Sequence, residues 1–229
     1  MKSSPDYRGS RLLKFEFCRC YEGTGFRLSR KLPGDRKQVN NNESTNHERF
    51  YIVTGGPGSG KTSLLEALRS RGYSCSVEAG RGIIQDQVSI AGQALPWADR
   101  SLFAELMLSW EMRNYRIAQE TTGPIFFDRG VPDVLGYLRL IGIPAPQHIQ
   151  NAAQKFRYNS SVFIAPPWPE IFSQDRERKQ DFDEAVRTYD SIAATFQALD
   201  YKLVEIPRAP VEHRASFVLD YLGISGGER

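Results

Sequence analysis

The chain has 229 residues, 40% hydrophobic and 25% charged, with a formal net charge of +3, which suits one α/β domain with a tail and is too short for two domains that each bury a core. No stretch approaches the roughly 18 consecutive apolar residues that span a bilayer, so no membrane insertion is expected. Residues 1–48 carry ten Lys/Arg against six Asp/Glu and the remainder twenty against twenty-one, so the basic excess belongs to the first segment and the domain gives no reason to expect nucleic acid.

In chain order, residues 1–48 are rich in Arg, Lys, Ser, Gly and Asn, close on the polar stretch Gln38–Asn46, and read as a disordered or loosely attached tail. Asp6, Glu16, Glu22 and Asp35 spoil the acid-poor composition of a transit peptide. Cys18, Cys20 and Cys75 are odd in number and lack the companions of a zinc site, so a reduced, cytoplasmic chain is expected.

Residues 49–229 carry the domain. Phe50–Thr54 reads as a buried strand, Ser63–Arg71 as an amphipathic helix with Leu64, Leu65 and Leu68 on one side, and Cys75–Glu78 as a second strand. Ala98–Glu120 repeats apolar residues at a helical period, Ile125–Phe127 is a third strand ending in Asp128, and Val134–Leu140 and His148–Lys155 are helical. Val162–Ala165 is a fourth strand, Phe182–Leu199 a long helix, Tyr201–Ile206 a fifth strand and Pro210–Leu222 a closing helix. Strands alternating with helices imply βαβ units and a mainly parallel sheet, hence a three-layer α/β/α fold of the P-loop NTPase kind. Ligands in such folds bind beyond the carboxyl ends of the strands.

After the first strand comes Gly55-Gly56-Pro57-Gly58-Ser59-Gly60-Lys61-Thr62, followed by Ser63 in a helix. The spacing GxxxxGK[ST] suits a nucleoside triphosphate: glycines let backbone N–H groups approach the phosphates, Lys61 reaches the β- and γ-phosphates, and the Thr62 hydroxyl ligates magnesium. ATP and Mg²⁺ are therefore the expected cofactors, and no guanine-reading NKxD motif appears.

The third strand delivers Asp128-Arg129-Gly130. A carboxylate there can hold magnesium or take a proton from an attacking hydroxyl, and the arginine can neutralise charge on the transferred phosphoryl group. Glu78 and Arg81 are candidates for binding the acceptor, and read equally well as a cap and a surface charge. After the fourth strand, Pro166-Pro167-Trp168-Pro169 leads into the charged run Ser173–Asp181, which suits a lid over the phosphates.

The glycine loop, Asp128-Arg129-Gly130 with Val131-Pro132-Asp133, the segment Pro166–Phe172 with its Asp175–Lys179 lid, and Val204-Glu205-Ile206-Pro207 together resemble the AAA_28 family of NadR-like P-loop ATPases. The resemblance covers residues 49–222 and implies a nucleoside- or nucleotide-kinase-like domain. It makes Asp128 the base or magnesium ligand, Arg129 a substrate or phosphate clamp, Arg178 the lid arginine, and Asp133 part of the acceptor side. No hydrophobic run ending in Asp-Glu accompanies it, so a ring-forming remodelling motor is not expected. Two functions remain open: a kinase acting on a small nucleoside-like acceptor, or a nucleotide-dependent switch working through a protein or lipid partner.

Overall fold

The central strands are near-continuous apolar runs, and in the computed structural model, which describes residues 46–172 and 181–224, successive side chains point to opposite faces and bury the sheet on both. Residues 1–45 with Cys18 and Cys20, and the lid segment with Arg178, lie outside the described residues. By backbone proximity the chain divides into Met1–Val39 and Asn40–Arg229, and the described strands and helices belong to the second unit.

Five strands, β1 (Phe50–Gly55), β2 (Ser74–Cys75), β3 (Ile125–Asp128), β4 (Ser161–Ala165) and β5 (Lys202–Glu205), pair in the order β2-β3-β1-β4-β5. Every pairing is parallel. Phe50, Ile52, Ile125, Phe127, Val162 and Ile164 point to one face, where they meet α3 (Arg100–Gln119), α4 (Val131–Leu140), α5 (Gln147–Lys155) and α6 (Phe182–Ala198). Val53, Phe126, Phe163 and Val204 point to the other, against α1 (Lys61–Ser70) and α7 (Val211–Tyr221). Full burial of each such side chain contributes about 1.5–3 kcal/mol, and edge-to-face pairs such as Phe50–Tyr115 and Phe127–Tyr158, with centroids 5.0 and 5.1 Å apart, add to it.

The helix after β1 thus goes to one face while those after β3 and β4 go to the other. That divergence opens a crevice at the carboxyl end of β1. The register fixes what faces it, since Val53 pairs with Asp128 and Gly55 with Ala165.

Three departures from the sequence reading bear on the site. The second strand ends at Cys75, not Glu78, because the Ser76 hydroxyl accepts the Asp128 N–H at 2.9 Å and takes the place of the next ladder bond. A further helix, α2 (Ala79–Ser89), follows with Glu78 at its N-cap. Its pattern is hard to read because only Ala79, Ile83 and Ile84 are buried along it. Gly82 lies so close to α3 that a Cβ there would come within 2.9 Å of the Trp110 ring. Helix α4 begins at Val131, three residues before the apolar period, and Pro132 sits in its first turn, where a missing N–H costs nothing.

Candidate active site

The glycine loop joins β1 to α1. Gly60, the N-cap of α1, has φ +77°, and Gly55 has φ +131° with a would-be Cβ only 2.4 Å from the Ala165 carbonyl oxygen, so a side chain at Gly55 meets both strain and collision. Lys61 is 5% exposed and its Nζ donates to the Gly55, Gly56 and Ser59 oxygens at 3.1, 2.6 and 3.2 Å. Ser59 is tied back to the Gly56 carbonyl at 2.8 Å. The first turn of α1 brings exposed Thr62 and Ser63 to the same end, together with helix N–H groups that lack intrahelical partners. Bent backbone, a buried cation and a helix N-terminus form a cradle for a polyphosphate.

At the end of β3, Asp128 is 5% exposed and its Oδ1 has no hydrogen-bond partner among the described residues. Burial raises its pKa, against the lowering pull of Lys61 and Arg129. Arg129 adopts φ +70° and donates its backbone N–H to the Val53 carbonyl at 3.1 Å. A bulky residue in the left-handed region is strained, and here the strain coincides with the turn that aims the guanidinium. Its Nη1 lies 3.4 Å from Asp133 Oδ1.

Asp133 is placed with the acceptor side by sequence, and it does line the cavity beside the loop, but both its oxygens are engaged. Oδ1 also accepts from the Thr54 hydroxyl, and Oδ2 accepts the Gly130 N–H at 2.9 Å, the bond that caps α4. Burial raises its pKa, with Arg129 and then Thr54 lowering it. Asp133 thus ties the start of α4 to β1 and holds Arg129.

That cavity, of about 1050 Å³, is bounded by α2, α3, α4 and α6 and reached by Pro57 of the loop. Ile84, Phe103, Met107, Val134, Tyr137 and Ile141 form its apolar walls. Its polar lining includes Glu78, Glu111, Arg129, Glu184, Arg100 and Arg187. Glu78 therefore sits where a bound molecule would touch it. Arg81 lies outside this lining, with its Nε 3.8 Å from Glu78 Oε2. The structure thus gathers the loop, Asp128, Arg129, Asp133 and Glu78 at one end of the sheet, while Arg178 falls outside the described residues.

Two site residues escape sequence reasoning. Glu111 is 2% exposed on α3, and burial first, then Asp133, raises its carboxyl pKa well above the ordinary range. An acid in an amphipathic helix reads as solvated, yet Phe103, Met107, Glu111 and Tyr115 recur every fourth residue, and that spacing puts Glu111 on the apolar stripe. Arg214 of α7, 6% exposed, donates to the Gly60 carbonyl at 3.1 Å and lies 5.6 Å from the centroid of the Trp168 ring.

No curated protein sequence matches the chain. Among solved structures, the NadR protein in complex with NR aligns at 15% identity and TM-score 0.59 over 80% of this chain and 52% of that one, so the chain spans about half of the NadR protein. Deoxyadenosine kinase from M. mycoides, with dCMP and dCDP, aligns at 12% identity and TM-score 0.53 over 76% of this chain and 98% of that one. Thymidylate kinase from Ehrlichia chaffeensis aligns at 14% and 0.51 over 76% and 97%. At these identities the likeness is one of fold, the α/β/α arrangement of P-loop kinases. A family model described as an AAA domain matches residues 50–214, most of the chain, and the protein belongs to that AAA_28 family.

Proposed function

We propose that this protein is a magnesium-dependent kinase that moves the γ-phosphoryl group of ATP to a hydroxyl of a small, nucleoside-like molecule held in the cavity. The observation that carries the reading is Asp128: a buried carboxyl with an oxygen unpartnered among the described residues, at the end of the strand beside the glycine loop. A hydroxyl acceptor needs such a base, whereas a phosphate acceptor is already ionised and needs cations instead. Glu78, Glu111, Asp133 and Glu184 line the cavity beside Arg100, Arg129 and Arg187, so the preference for a hydroxyl acceptor rests on Asp128. The named activity of the deoxyadenosine kinase supports a nucleoside acceptor, and that of the thymidylate kinase, which acts on a nucleotide, supports phosphoryl transfer more broadly.

The loop amides of Gly55–Gly60, with Lys61 and the first turn of α1 at Thr62 and Ser63, hold the triphosphate. Thr62 and Asp128 would hold magnesium, which supplies neutralisation of phosphate charge. The described residues contain no cluster of three or more His, Cys, Asp or Glu fit for a metal, which suits an ion that keeps waters and phosphates as most of its ligands. Asp128 orients the acceptor hydroxyl and takes its proton as the acceptor oxygen bonds to the γ-phosphorus and the bond to the β–γ bridging oxygen breaks. Arg129 and Lys61 offset the charge that grows on the phosphoryl oxygens. Arg178 joins them in this reading as a lid cation, and Glu78, with Arg81 at its side, lines the acceptor.

The test is magnesium-dependent ADP release from ATP by the full chain, with and without pooled nucleosides, nucleotides and nicotinamide ribosides. A rise with a hydroxyl-bearing pool is expected, and Asp128→Asn should lower that turnover far more than it lowers ATP affinity. A slow rate indifferent to every pool, with ATP bound, sinks the kinase and favours a nucleotide-dependent switch.

A further inference from the structure

Glu111 takes no part in the phosphoryl transfer, yet it occupies the most demanding position on the acceptor side. It lines the cavity at 2% exposure, on a wall otherwise made of Phe103, Met107 and Ile84. Among the described residues, the one hydrogen bond that reaches its carboxyl comes from Asn114 Nδ2 to Oε2 at 3.4 Å, and that amide also donates to the Val77 carbonyl at 3.3 Å. A buried carboxyl with a single long, shared bond is costly unless something else completes it. Its charged neighbours do not, because Asp128 and Asp133 oppose its ionisation and the Arg129 guanidinium is drawn 3.4 Å from Asp133. A second cavity-lining group is in the same position: the Tyr137 hydroxyl is buried without a hydrogen-bond partner among the described residues.

The group that completes Glu111 can be chosen by chemistry. An anion there would face three buried carboxyls. A carbonyl oxygen pairs only with the protonated form. An N–H donor pairs with Glu111 in either protonation state. The walls around it, with Phe103 and Tyr137 packed edge to face at 5.6 Å, suit a flat ring. We propose that Glu111 is a specificity-determining residue of the acceptor pocket, whose carboxyl receives an N–H donor carried on the ring of the acceptor. Acceptors with an exocyclic amine are then preferred over counterparts that carry a carbonyl at the same place. This inference rests on the kinase reading of the cavity and extends it to the part of the molecule that does not react.

The experiment compares adenosine with inosine and cytidine with uridine. In the second of each pair an oxo group replaces the exocyclic amine and the adjacent ring nitrogen gains an N–H, so the readout is the preference for the exocyclic amine. Two readouts run on the full-chain protein: kcat/KM with MgATP, and equilibrium nucleoside binding by calorimetry, which needs no turnover. The amino member of the better-bound pair should be favoured by about tenfold or more. Glu111→Met should bring that ratio to within about twofold by removing the acceptor oxygen, and Glu111→Gln, isosteric and still an acceptor, should keep part of it. Phosphorylation or binding with no amino preference overturns the inference and leaves the kinase intact, and so does a preference that survives Glu111→Met. An amino preference in binding that Glu111→Met abolishes, with no phosphorylation, supports the role of Glu111 and overturns the kinase. No binding and no turnover with all four nucleosides overturns the inference, and the kinase falls with it only when every acceptor pool also fails. Should Glu111→Met fail to fold, a ratio unchanged in Glu111→Gln counts against the inference.

Discussion

Asp133→Asn puts the architecture of the site at risk with the smallest possible change of shape. Three donors converge on this carboxylate: the Thr54 hydroxyl and Arg129 Nη1 on one oxygen, and the Gly130 N–H at 2.9 Å on the other. An amide offers one oxygen. If that oxygen keeps Thr54 and Arg129, the new NH₂ faces the Gly130 N–H, and the α4 cap, worth about 1 kcal/mol, is lost. The stranded N–H adds roughly 1–3 kcal/mol of desolvation cost. Relief of the buried negative charge offsets part of this, since burial already pushes the Asp133 pKa up. The expected loss of stability is about 2–3 kcal/mol. Urea unfolding at neutral pH, followed by both fluorescence and circular dichroism, reads it. Thr54→Val should cost about 1–2 kcal/mol, and the double variant should cost less than the sum, because the two side chains touch. A loss under about 0.5 kcal/mol for Asp133→Asn, or strict additivity with Thr54→Val, would refute the picture of Asp133 as the tie between β1, α4 and Arg129.

Glu111 predicts a pH dependence whose sign is fixed by its raised pKa. The folded state holds that proton more tightly than the unfolded chain, whose glutamate titrates near 4.5, so stability falls as pH rises from there through the folded value. Glu111→Gln should flatten the fall by up to about 1.4 kcal/mol per pH unit; wild-type and variant curves of unfolding free energy that run parallel between about pH 5 and 8 would count against it. Gly55→Ala places a Cβ 2.4 Å from the Ala165 carbonyl oxygen at φ +131° and should cost about 3 kcal/mol or more, seen as a large drop in melting temperature or as insoluble protein. Tyr137→Phe removes a buried hydroxyl without a partner among the described residues and should leave stability unchanged or slightly higher; a loss above about 1 kcal/mol would show that the hydroxyl has a partner in the folded chain.

The glycine loop was legible because the pieces of its motif are local. Bent backbone, lysine and hydroxyl lie within one turn of chain, and Gly55 through Thr62 are contiguous in sequence as in space. Asp128 and Arg129 were legible by the rule that strand ends carry function. The cavity's charged groups were legible only at Glu78, Arg129 and Asp133, because the rest of its lining is spread over four helices. Glu111 is informative only once Phe103 and Tyr115 are known to face inward. Asp133 looked like an acceptor contact, yet the Thr54 hydroxyl and the Gly130 N–H each take one of its oxygens. Helix α2 hid behind two glycines, one of them imposed by the Trp110 ring of another helix.

The two halves also differ in charge, and the sheet explains how they coexist. Lys61 and the α1 N-terminus make the loop cationic and lie on the helix that crosses to one face. Glu111 and Asp133 lie on α3 and α4, which pack on the opposite face. Between them stand Asp128 at the end of β3, the neighbour of the loop strand, and Arg129 just after it. Arg100, Arg129 and Arg187 line the same cavity, so charge alone does not bar a nucleoside triphosphate from it. In the proposed kinase an uncharged, amine-bearing molecule gains nothing from the phosphate cradle, and the divergence of helices at β1 supplies that one-sided discrimination.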